Sequence, residues 1–379
     1  MRIHQLHYVA GQWASTTLSP RFDANKCHLL LVFGASACIS NPAFLQEAKN
    51  RFPAAQIVLC STSGEIMGES VFDDSAVVTA IELERTVIRP VITNIKQHGN
   101  SYEAGKHLMQ LLQEGQPSNI FILSDGTHVN GSELVAGFSE GNHKNIPITG
   151  GLAGDATRFI KTLVGLNQLP GEGNVVAIGF YGSDLHIGHG SFGGWDEFGQ
   201  ERLITRSRKN VLFELDKRNA LDLYKEYLGP YVDELPGSAL LFPLSLRING
   251  AGENIVRTIL NIDEKEGSMT FAGNLPEGGK VRLMKANFDK LIDGSATAAQ
   301  YSFSPLHRKP ELAILISCVG RRLVLHERID EEVKAAKDIL GDGTVICGFY
   351  SYGEISPLKP DSKCELHNQT MTITTFSES

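Results

Sequence analysis

Two short segments, far apart in the chain, place hydroxyl groups, a glycine and a carboxylate at matching positions. Such side chains can hydrogen-bond a small polar ligand, and two glutamates that met in space could also perform acid–base chemistry. Alternatively, each glutamate accepts backbone N–H bonds and holds its own turn. The candidate residues are Ser61, Ser63, Gly64 and Glu65 in the first segment, and Tyr350, Tyr352 and Glu354 in the second.

A hydrolase is a second interpretation of the first segment. Ser61 or Cys60 would be the nucleophile, paired with a histidine that is distant in the sequence. The phosphate-binding G-x-x-x-x-G-K-[ST] motif is absent from the sequence. Because a serine beside a glycine is typical of turns and caps, we predict that the protein is not an enzyme.

Three β-α-β patterns supply the elements that would position these residues. In the first, Asn41 is the N-cap candidate and Pro42 the first helical residue. The third ends in a glycine-rich segment with Gly151 and Asp155 as further pocket candidates. Each pattern predicts two parallel strands, with the candidate turn beyond the second strand. The strand, helix and strand are 28–33, 41–52 and 56–60, then 312–317, 331–340 and 344–348, and finally 119–123, 132–138 and 146–149.

The rest of the chain completes an α/β fold with mixed sheets built from repeated β-α-β units. Period-two alternation over 370–376 predicts a strand with one buried face. Further strands are predicted at 239–246 and 256–262, and a helix at 219–228. We expect two closely packed regions, 28–208 and 209–379, after an N-terminal segment, 1–27.

Composition excludes several partners. The 379 residues carry a formal net charge of −8 without a basic run, which argues against nucleic acid or an anionic membrane as a partner. No apolar segment approaches the roughly 20 residues that span a bilayer, and the N-terminus lacks a signal-peptide core, so we predict a cytoplasmic protein. The six cysteines form no C-x-x-C pair, so we predict reduced core residues. The sequence indicates no particular oligomeric state.

Several of these segments together resemble the signature blocks of FIST proteins. The resemblance runs from about residue 28 to the end and implies an N-terminal and a C-terminal FIST region. FIST regions are sensory, ligand-binding modules of bacterial signalling proteins, so the resemblance implies a stand-alone sensor that signals through a partner. The blocks are Cys60-Ser61-Thr62-Ser63-Gly64-Glu65-Ile66, Gly150-Gly151-Leu152-Ala153-Gly154-Asp155, Gly348-Phe349-Tyr350-Ser351-Tyr352-Gly353-Glu354-Ile355 and Leu366-His367-Asn368-Gln369-Thr370-Met371-Thr372.

Further blocks are similar to the NosP branch of the family, which comprises nitric-oxide-sensing haemoproteins. That similarity implies haem b bound non-covalently, nitric oxide as the signal and a histidine kinase as the partner. The alternative within the family is a sensor of a small polar metabolite such as an amino acid. The blocks are Gly193-Gly194-Trp195-Asp196, Glu214-Leu215-Asp216 and Asn274-Leu275-Pro276-Glu277-Gly278.

Haem b would need an imidazole ligand to iron and an apolar cavity. His189 is the first candidate for the iron ligand, because the glycines on either side would leave room for a macrocycle. Phe192 and Trp195 would line that cavity. His186 is the next candidate, although residues three apart in a strand face opposite ways, and His367 is the third.

Overall fold

The computed structural model describes residues 1–235, 237–248, 254–303, 309–357 and 362–379. Within those residues the strands form four sheets, three with six strands and one with eight. None of the described helices is both long and apolar enough to cross a membrane. The predicted fold class, α/β with mixed sheets built from repeated β-α-β units, is confirmed.

The first six-stranded sheet is built mainly from the N-terminal residues. Its order is β11-β4-β3-β7-β1-β2, with β3 and β4 parallel and the other pairs antiparallel. Helix α2 begins as predicted, because Asn41 accepts a hydrogen bond from the Ala43 N–H (2.9 Å) and Pro42 is the first helical residue. The elements are β1 (Arg2–Val9), β2 (Gln12–Leu18), β3 (Leu29–Gly34), α1 (Ser36–Ile39), α2 (Pro42–Arg51), β4 (Gln56–Ser61), β7 (Ser75–Glu82) and β11 (Val164–Leu166).

The second sheet repeats this plan with the order β25-β24-β10-β9-β12-β8, in which β9 and β10 are the parallel pair. Its edge strands β24 (Gly353–Pro357) and β25 (Cys364–His367) come from the C-terminal part of the chain. Helix α4 connects β9 to β10 and packs against α3 on the outer face of the sheet. The elements are β8 (Val87–Asn94), α3 (Ser101–Gln113), β9 (Asn119–Ser124), α4 (Gly131–Gly141), β10 (Ile148–Leu152) and β12 (Asn174–Tyr181).

The third sheet has the order β13-β26-β22-β23-β5-β6, and its parallel pair is β22 and β23. Its edge strands β5 (Glu65–Met67) and β6 (Ser70–Phe72) come from the N-terminal part of the chain. Helices α6 and α8 cover its outer face. The elements are β13 (Leu185–Phe192), α6 (Phe288–Phe303), β22 (Leu312–Cys318), α7 (Val319–Leu325), α8 (Ile329–Leu340), β23 (Val345–Ser351) and β26 (Met371–Glu378).

The strand that follows each parallel pair leaves its own sheet and completes the edge of another one. Strand β5 (Glu65–Met67), which continues into β6 (Ser70–Phe72), follows β4 but pairs with β23. Strand β24 (Gly353–Pro357), with β25 (Cys364–His367), follows β23 but pairs with β10, and β11 follows β10 but pairs with β4. The three repeats are therefore joined in a closed ring of exchanged strands.

The inner faces of the three sheets share one hydrophobic core. Each sheet contributes large, fully buried side chains, among them Phe33, Phe121, Ile178, Ile314 and Phe349. With helices on their outer faces, the central strands are buried on both sides, as parallel strands usually are. We call the three repeats together the core region.

The described residues of 196–285 form a lobe inserted between β13 and α6, with its own hydrophobic core. Helix α5 packs on its eight-stranded sheet and is capped by Asn219, which accepts a hydrogen bond from the Asp222 N–H (3.0 Å). The predicted boundary between residues 208 and 209 falls at the end of β14, inside this lobe. The elements are β14 (Asp196–Arg208), β15 (Val211–Leu215), β16 (Arg218–Asn219), α5 (Ala220–Leu228), β17 (Leu244–Arg247), β18 (Ile255–Arg257), β19 (Ile259–Asp263), β20 (Ser268–Phe271) and β21 (Lys280–Lys285).

Three strand predictions needed correction. The strand expected at 370–376 is β26, but all eight of its residues are buried, because the strand is central. Helix α6 covers the face of Met371, Ile373 and Thr375, with Thr375 Oγ1 donating to the Ser302 carbonyl (2.8 Å), and the opposite face packs with Phe376 in the shared core. At 239–246 the chain forms a 3-10 turn, Gly237–Leu241, and β17 starts only at Leu244, after Pro243, which has no N–H to donate. The strand expected at 256–262 is divided at Thr258 into β18 and β19, which pair with different partners.

Candidate functional site

The turns at the carboxyl ends of β4, β10 and β23 meet and bind one another through the backbone. Each turn donates at least one hydrogen bond to a neighbour and accepts at least one from the other, following the ring of exchanged strands. The bonds run from Ser63 N–H to Tyr350 O (2.8 Å), from Gly154 N–H to Ser61 O (2.9 Å) and from Tyr352 N–H to Leu152 O (3.2 Å). The two serine-and-glutamate segments are thus parts of one buried junction.

Each candidate glutamate holds its own turn. Glu65 accepts hydrogen bonds from the hydroxyls of Thr62 (2.5 Å) and Ser75 (2.8 Å), and both its partners are buried. Glu354 accepts the corresponding bonds from Ser351 (2.7 Å) and Thr370 (2.9 Å). Burial raises the pKa of Glu65 to about 7 and that of Glu354 to about 8, although the hydroxyl donors act in the opposite direction. This geometry matches the alternative in which each glutamate locks a turn.

The candidate nucleophiles are buried, and their surroundings give them structural roles. Ser61 is fully buried, donates its hydroxyl hydrogen to the Gly154 carbonyl (2.8 Å) and accepts from the Leu163 N–H (2.8 Å). Ser63 donates to the Ala156 carbonyl (3.0 Å). Cys60 is fully buried, and burial raises the pKa of its thiol. No histidine accepts the Ser61 proton, as nucleophilic catalysis would require.

Three more predicted pocket residues lie inside packed structure. The Tyr350 hydroxyl donates to the buried Glu332 (2.9 Å). A Cβ added at Gly64 would lie 2.1 Å from Arg322, and one at Gly151 would lie 2.8 Å from Ile316, so both glycines provide close packing.

A cavity of about 610 Å³ lies between the core region and the lobe, and we call it the interlobe cavity. The core region contributes the loop after β9 and the segment after β10, and the lobe contributes residues around β19 and β20. The described residues that line it are Gly126, Thr127, His128, Val129, Asn130, Leu152, Phe159, Asn210, Gly237, Leu240, Ile259, Leu260, Phe271, Ala272 and Tyr352.

Tyr352 is the predicted pocket residue that lines this cavity. Its ring stacks on Phe159 (centroids 4.5 Å apart), and its hydroxyl accepts a hydrogen bond from the Phe159 N–H (3.1 Å). Burial raises the pKa of Tyr352 to about 12. Asp155, also a predicted pocket residue, is not among the lining residues. It accepts hydrogen bonds from Arg158 Nε (2.9 Å) and the Lys161 N–H (3.3 Å). Together these contacts hold one wall of the cavity.

The loop after β9 forms the polar wall. Asp125 is fully buried and accepts hydrogen bonds from the N–H groups of Thr127 (2.8 Å), His128 (2.6 Å) and Gly173 (2.9 Å). The Thr127 hydroxyl lies 3.0 Å from His128 Nδ1. The carboxylate thereby fixes the loop that presents the hydroxyl and the imidazole to the cavity.

The sequence did not single out the residues of this polar wall. A signal was present, since the segment 124–131 is polar and follows a predicted parallel strand, where α/β folds place ligand sites. Asn210 gave no such signal, because it reaches the cavity only through the folding of the lobe.

The candidate haem ligands are dispersed. His189 lies on the face of β13 that points away from α6 and lines a second cavity of about 460 Å³, whereas His186 is exposed. The glycines beside His189 do not make room for a macrocycle: a Cβ at Gly188 would lie 1.9 Å from the Ser302 carbonyl and one at Gly190 2.2 Å from that of Ala298, both in α6. They serve the packing of that helix.

The other residues predicted around haem lie elsewhere. Phe192 is 39% exposed and contacts Tyr301 of α6. Trp195 donates its indole N–H to the Gln369 carbonyl (2.8 Å) within a separate hydrophobic cluster. His367 is buried with Nε2 2.8 Å from the Ser356 carbonyl, and burial lowers its pKa to about 4. Neither aromatic residue is among those that line the cavity of His189.

Comparison with known families now identifies the chain. The FIST N domain family matches residues 28–218, and the FIST C domain family matches residues 220–357. The chain belongs to the FIST family. FIST domains are sensory domains in signal transduction, which makes a sensor role the general function of this protein. A search of the curated proteins found no match.

The two FIST regions share the interlobe cavity and are interlocked by strand exchange. Asn210 and the loop after β9 belong to the FIST N match, whereas Phe271 and Tyr352 belong to the FIST C match. Strand β5 of FIST N completes the sheet of β23 in FIST C. Over the described parts of the chain, no group of three or more His, Cys, Asp or Glu side chains is arranged to hold a metal ion.

Proposed function

We propose that this FIST protein is a sensor that binds a small organic ligand in the interlobe cavity. The observation that carries the proposal is a cavity of about 610 Å³ whose walls come from both FIST regions. Its volume lies within the roughly 300–1,000 Å³ of small-molecule sites. It also lies beyond the carboxyl ends of β9 and β10, the usual place for a ligand in an α/β fold.

A ligand in this cavity would act on the relation between the lobe and the core region. Several polar contacts connect them near the cavity: among them, Asn130 Nδ2 donates to Asn274 Oδ1 (3.1 Å), Arg257 donates to the Leu366 carbonyl (2.9 Å), and Lys209 pairs with Glu133 (2.8 Å). A ligand that contacts both sides would favour one arrangement over others, in proportion to its difference in affinity. That change is the signal we propose.

We propose a sensor rather than an enzyme. The support is the environment of Ser61, whose hydroxyl donates to a carbonyl and accepts from a backbone N–H inside the junction of the three turns. A nucleophile would need a base for its proton and access to substrate.

A thermal-shift screen of metabolites tests the ligand site. Ala272 is half-buried and lines the cavity, so Ala272→Phe would fill part of it. Ala14→Phe makes the same change on the exposed strand β2 and is the matched control. We expect at least one compound that raises the melting temperature of the wild type and of Ala14→Phe but not of Ala272→Phe. If every stabilising compound acts equally on all three proteins, the cavity is not the ligand site.

Haem b beside His189 is a second candidate, favoured by the surroundings of that residue. The cavity of about 460 Å³ has one apolar part, formed by Ile146, Ile148 and Ile187, beside the polar Ser139, Asn142 and Asn145, and the lining residue Lys363 could pair with a propionate. These groups fit the requirements of haem b: an imidazole, an apolar slot and a cation. When bound, haem would supply an iron site for nitric oxide, as the family resemblance implies.

An absorption titration with haemin tests this second candidate. We expect a Soret band that shifts with nitric oxide, is lost in His189→Ala and persists in His186→Ala, since His186 is exposed on the other face of β13. A protein that takes up no haemin would remove this candidate and leave the interlobe proposal intact.

The partner that we propose is a histidine kinase, which rests on the resemblance alone. Autophosphorylation of a candidate kinase, measured with and without the protein and its ligand, tests this partner. A kinase rate that never responds to the sensor would contradict the pairing.

A further inference from the structure

The interlobe cavity contains polar groups but no strongly charged side chain. None of the described residues that line it is a lysine, arginine, aspartate or glutamate. The lining side chain that can become a cation is His128, and it already faces Asp125 (3.4 Å) and Glu172 (3.9 Å). The cavity therefore offers no unpaired charge to a ligand from those residues.

Charged side chains that neighbour the lining residues already have partners, and Arg257, beside Gly273, donates to the carbonyls of Asn274 (3.2 Å) and Leu366 (2.9 Å). The Asp125 carboxylate accepts hydrogen bonds from three backbone N–H groups. Arg158 binds Asp155, and Lys209 binds Glu133 (2.8 Å). A carboxylate or ammonium group that entered the cavity would lose hydration without gaining a counter-ion, which is costly.

Hydroxyl, imidazole and amide groups come from both walls of an otherwise apolar lining. Thr127 and His128 present a hydroxyl and an imidazole from the loop after β9. Asn210 donates through Nδ2 to the Phe271 carbonyl (2.8 Å), and no described group donates to its Oδ1. Much of the remaining lining is aliphatic or aromatic, including Val129, Leu152, Leu240, Ile259 and Phe271.

We propose that the ligand is an uncharged amphipathic molecule, with a hydrogen-bonding head at Thr127 and His128 and an apolar body against the lobe. This inference rests on the proposed function, since it concerns the same cavity. It excludes zwitterionic amino acids as the ligand, because their carboxylate and ammonium groups would both be left without partners.

Two dyes that share a ring system separate charge from shape. N-phenyl-1-naphthylamine is uncharged, and 1-anilinonaphthalene-8-sulfonate carries a sulfonate on the same rings. We expect the uncharged dye to bind the wild type and Ala14→Phe at least about tenfold more tightly than the sulfonate, a difference of about 1.4 kcal/mol. We expect Ala272→Phe to lose this tight binding.

Two results would overturn the inference. One is binding of the sulfonate as tight as that of the uncharged dye, and the other is equal binding of the uncharged dye by the wild type and Ala272→Phe. Failure of the class and failure of the site are distinguishable. If charged metabolites stabilise the wild type but not Ala272→Phe, the site is right and only the proposed ligand class is wrong. If the site itself is wrong, no compound of any charge will stabilise the wild type more than Ala272→Phe.

Discussion

At the residue scale, the duplicated turns share one chemical device. A buried glutamate accepts a hydrogen bond from a hydroxyl three residues earlier and another from a hydroxyl at the start of the next long strand. Because both carboxyl groups are buried, their pKa values rise to about 7 for Glu65 and about 8 for Glu354. The native state therefore retains protons that the unfolded chain has lost.

These raised pKa values predict that the protein becomes less stable as the pH rises from 6.5 to 8. In the unfolded chain, glutamate has its ordinary pKa of 4.5 and carries no proton in this range, whereas native Glu354 stays largely protonated up to about pH 8. The unfolding free energy should fall by up to about 1.4 kcal/mol per pH unit and per group. Denaturant unfolding at several pH values measures this slope.

The isosteric variant Glu354→Gln provides the control for this slope. It keeps an acceptor for Ser351 and removes the titration, so its unfolding free energy should depend less on pH than that of the wild type. Identical slopes in the two proteins would show that Glu354 is already ionised at pH 6.5.

Ser61→Ala should destabilise the protein without changing ligand affinity. The variant leaves the Leu163 N–H without its acceptor in a buried place, which costs about 1–3 kcal/mol. Ser40→Ala, at an exposed serine, should cost no more than about 0.5 kcal/mol. Unfolding and ligand titration of both variants check this pair, and a loss of some catalytic activity in Ser61→Ala alone would favour the hydrolase alternative instead.

At the element scale, the glycines of β13 set how closely α6 approaches the third sheet. A Cβ at Gly190 would lie 2.2 Å from the carbonyl oxygen of Ala298, so Gly190→Ala must displace the backbone of the helix. We expect a loss of roughly 1–3 kcal/mol in unfolding free energy. The matched variant is Gly99→Ala, where a Cβ meets nothing within 4 Å. If both variants unfold at the same denaturant concentration, the helix is not packed on these glycines.

Most regular elements were predictable, because local signals decide them. The parallel pairs end in hydroxyl- and glycine-rich turns as expected, and α2 starts at Pro42 because Asn41 caps it. Prediction was wrong where tertiary packing decides: Thr372 and Thr374 of β26 resemble a solvated face, but they lie on the side of the strand that faces the shared core, as Phe376 does.

The candidate site was predictable only in part. Tyr352 was identified because it belongs to a repeated turn, and it does line the interlobe cavity. Ser61 and Tyr350 are buried because three turns that are distant in sequence meet there. No local sequence pattern encodes that meeting. Phe271 and Asn210 likewise depend on how the lobe lies against the core region.

At the scale of the whole molecule, the exchanged strands make the two FIST regions interdependent. A chain of residues 1–208 would lack β24, which completes the edge of the second sheet, and β26, the partner of β13. It would also leave β5 without β23. We expect this fragment to show no cooperative unfolding transition by circular dichroism, because it has unpaired edges and lacks most of the third sheet's contribution to the shared core, which includes Ile314, Phe349 and Phe376. A cooperative transition in the isolated fragment would show that the exchange is dispensable.

The central claim is that a ligand connects the lobe to the core region through the interlobe cavity. Isothermal titration of the best compound from the metabolite screen against the wild type, Ala272→Phe and Ala14→Phe tests this claim most directly. The account predicts one site per chain in the wild type and in Ala14→Phe, and at least about tenfold weaker binding in Ala272→Phe, in which the added ring occupies part of the cavity. Equal affinity in all three proteins would contradict it.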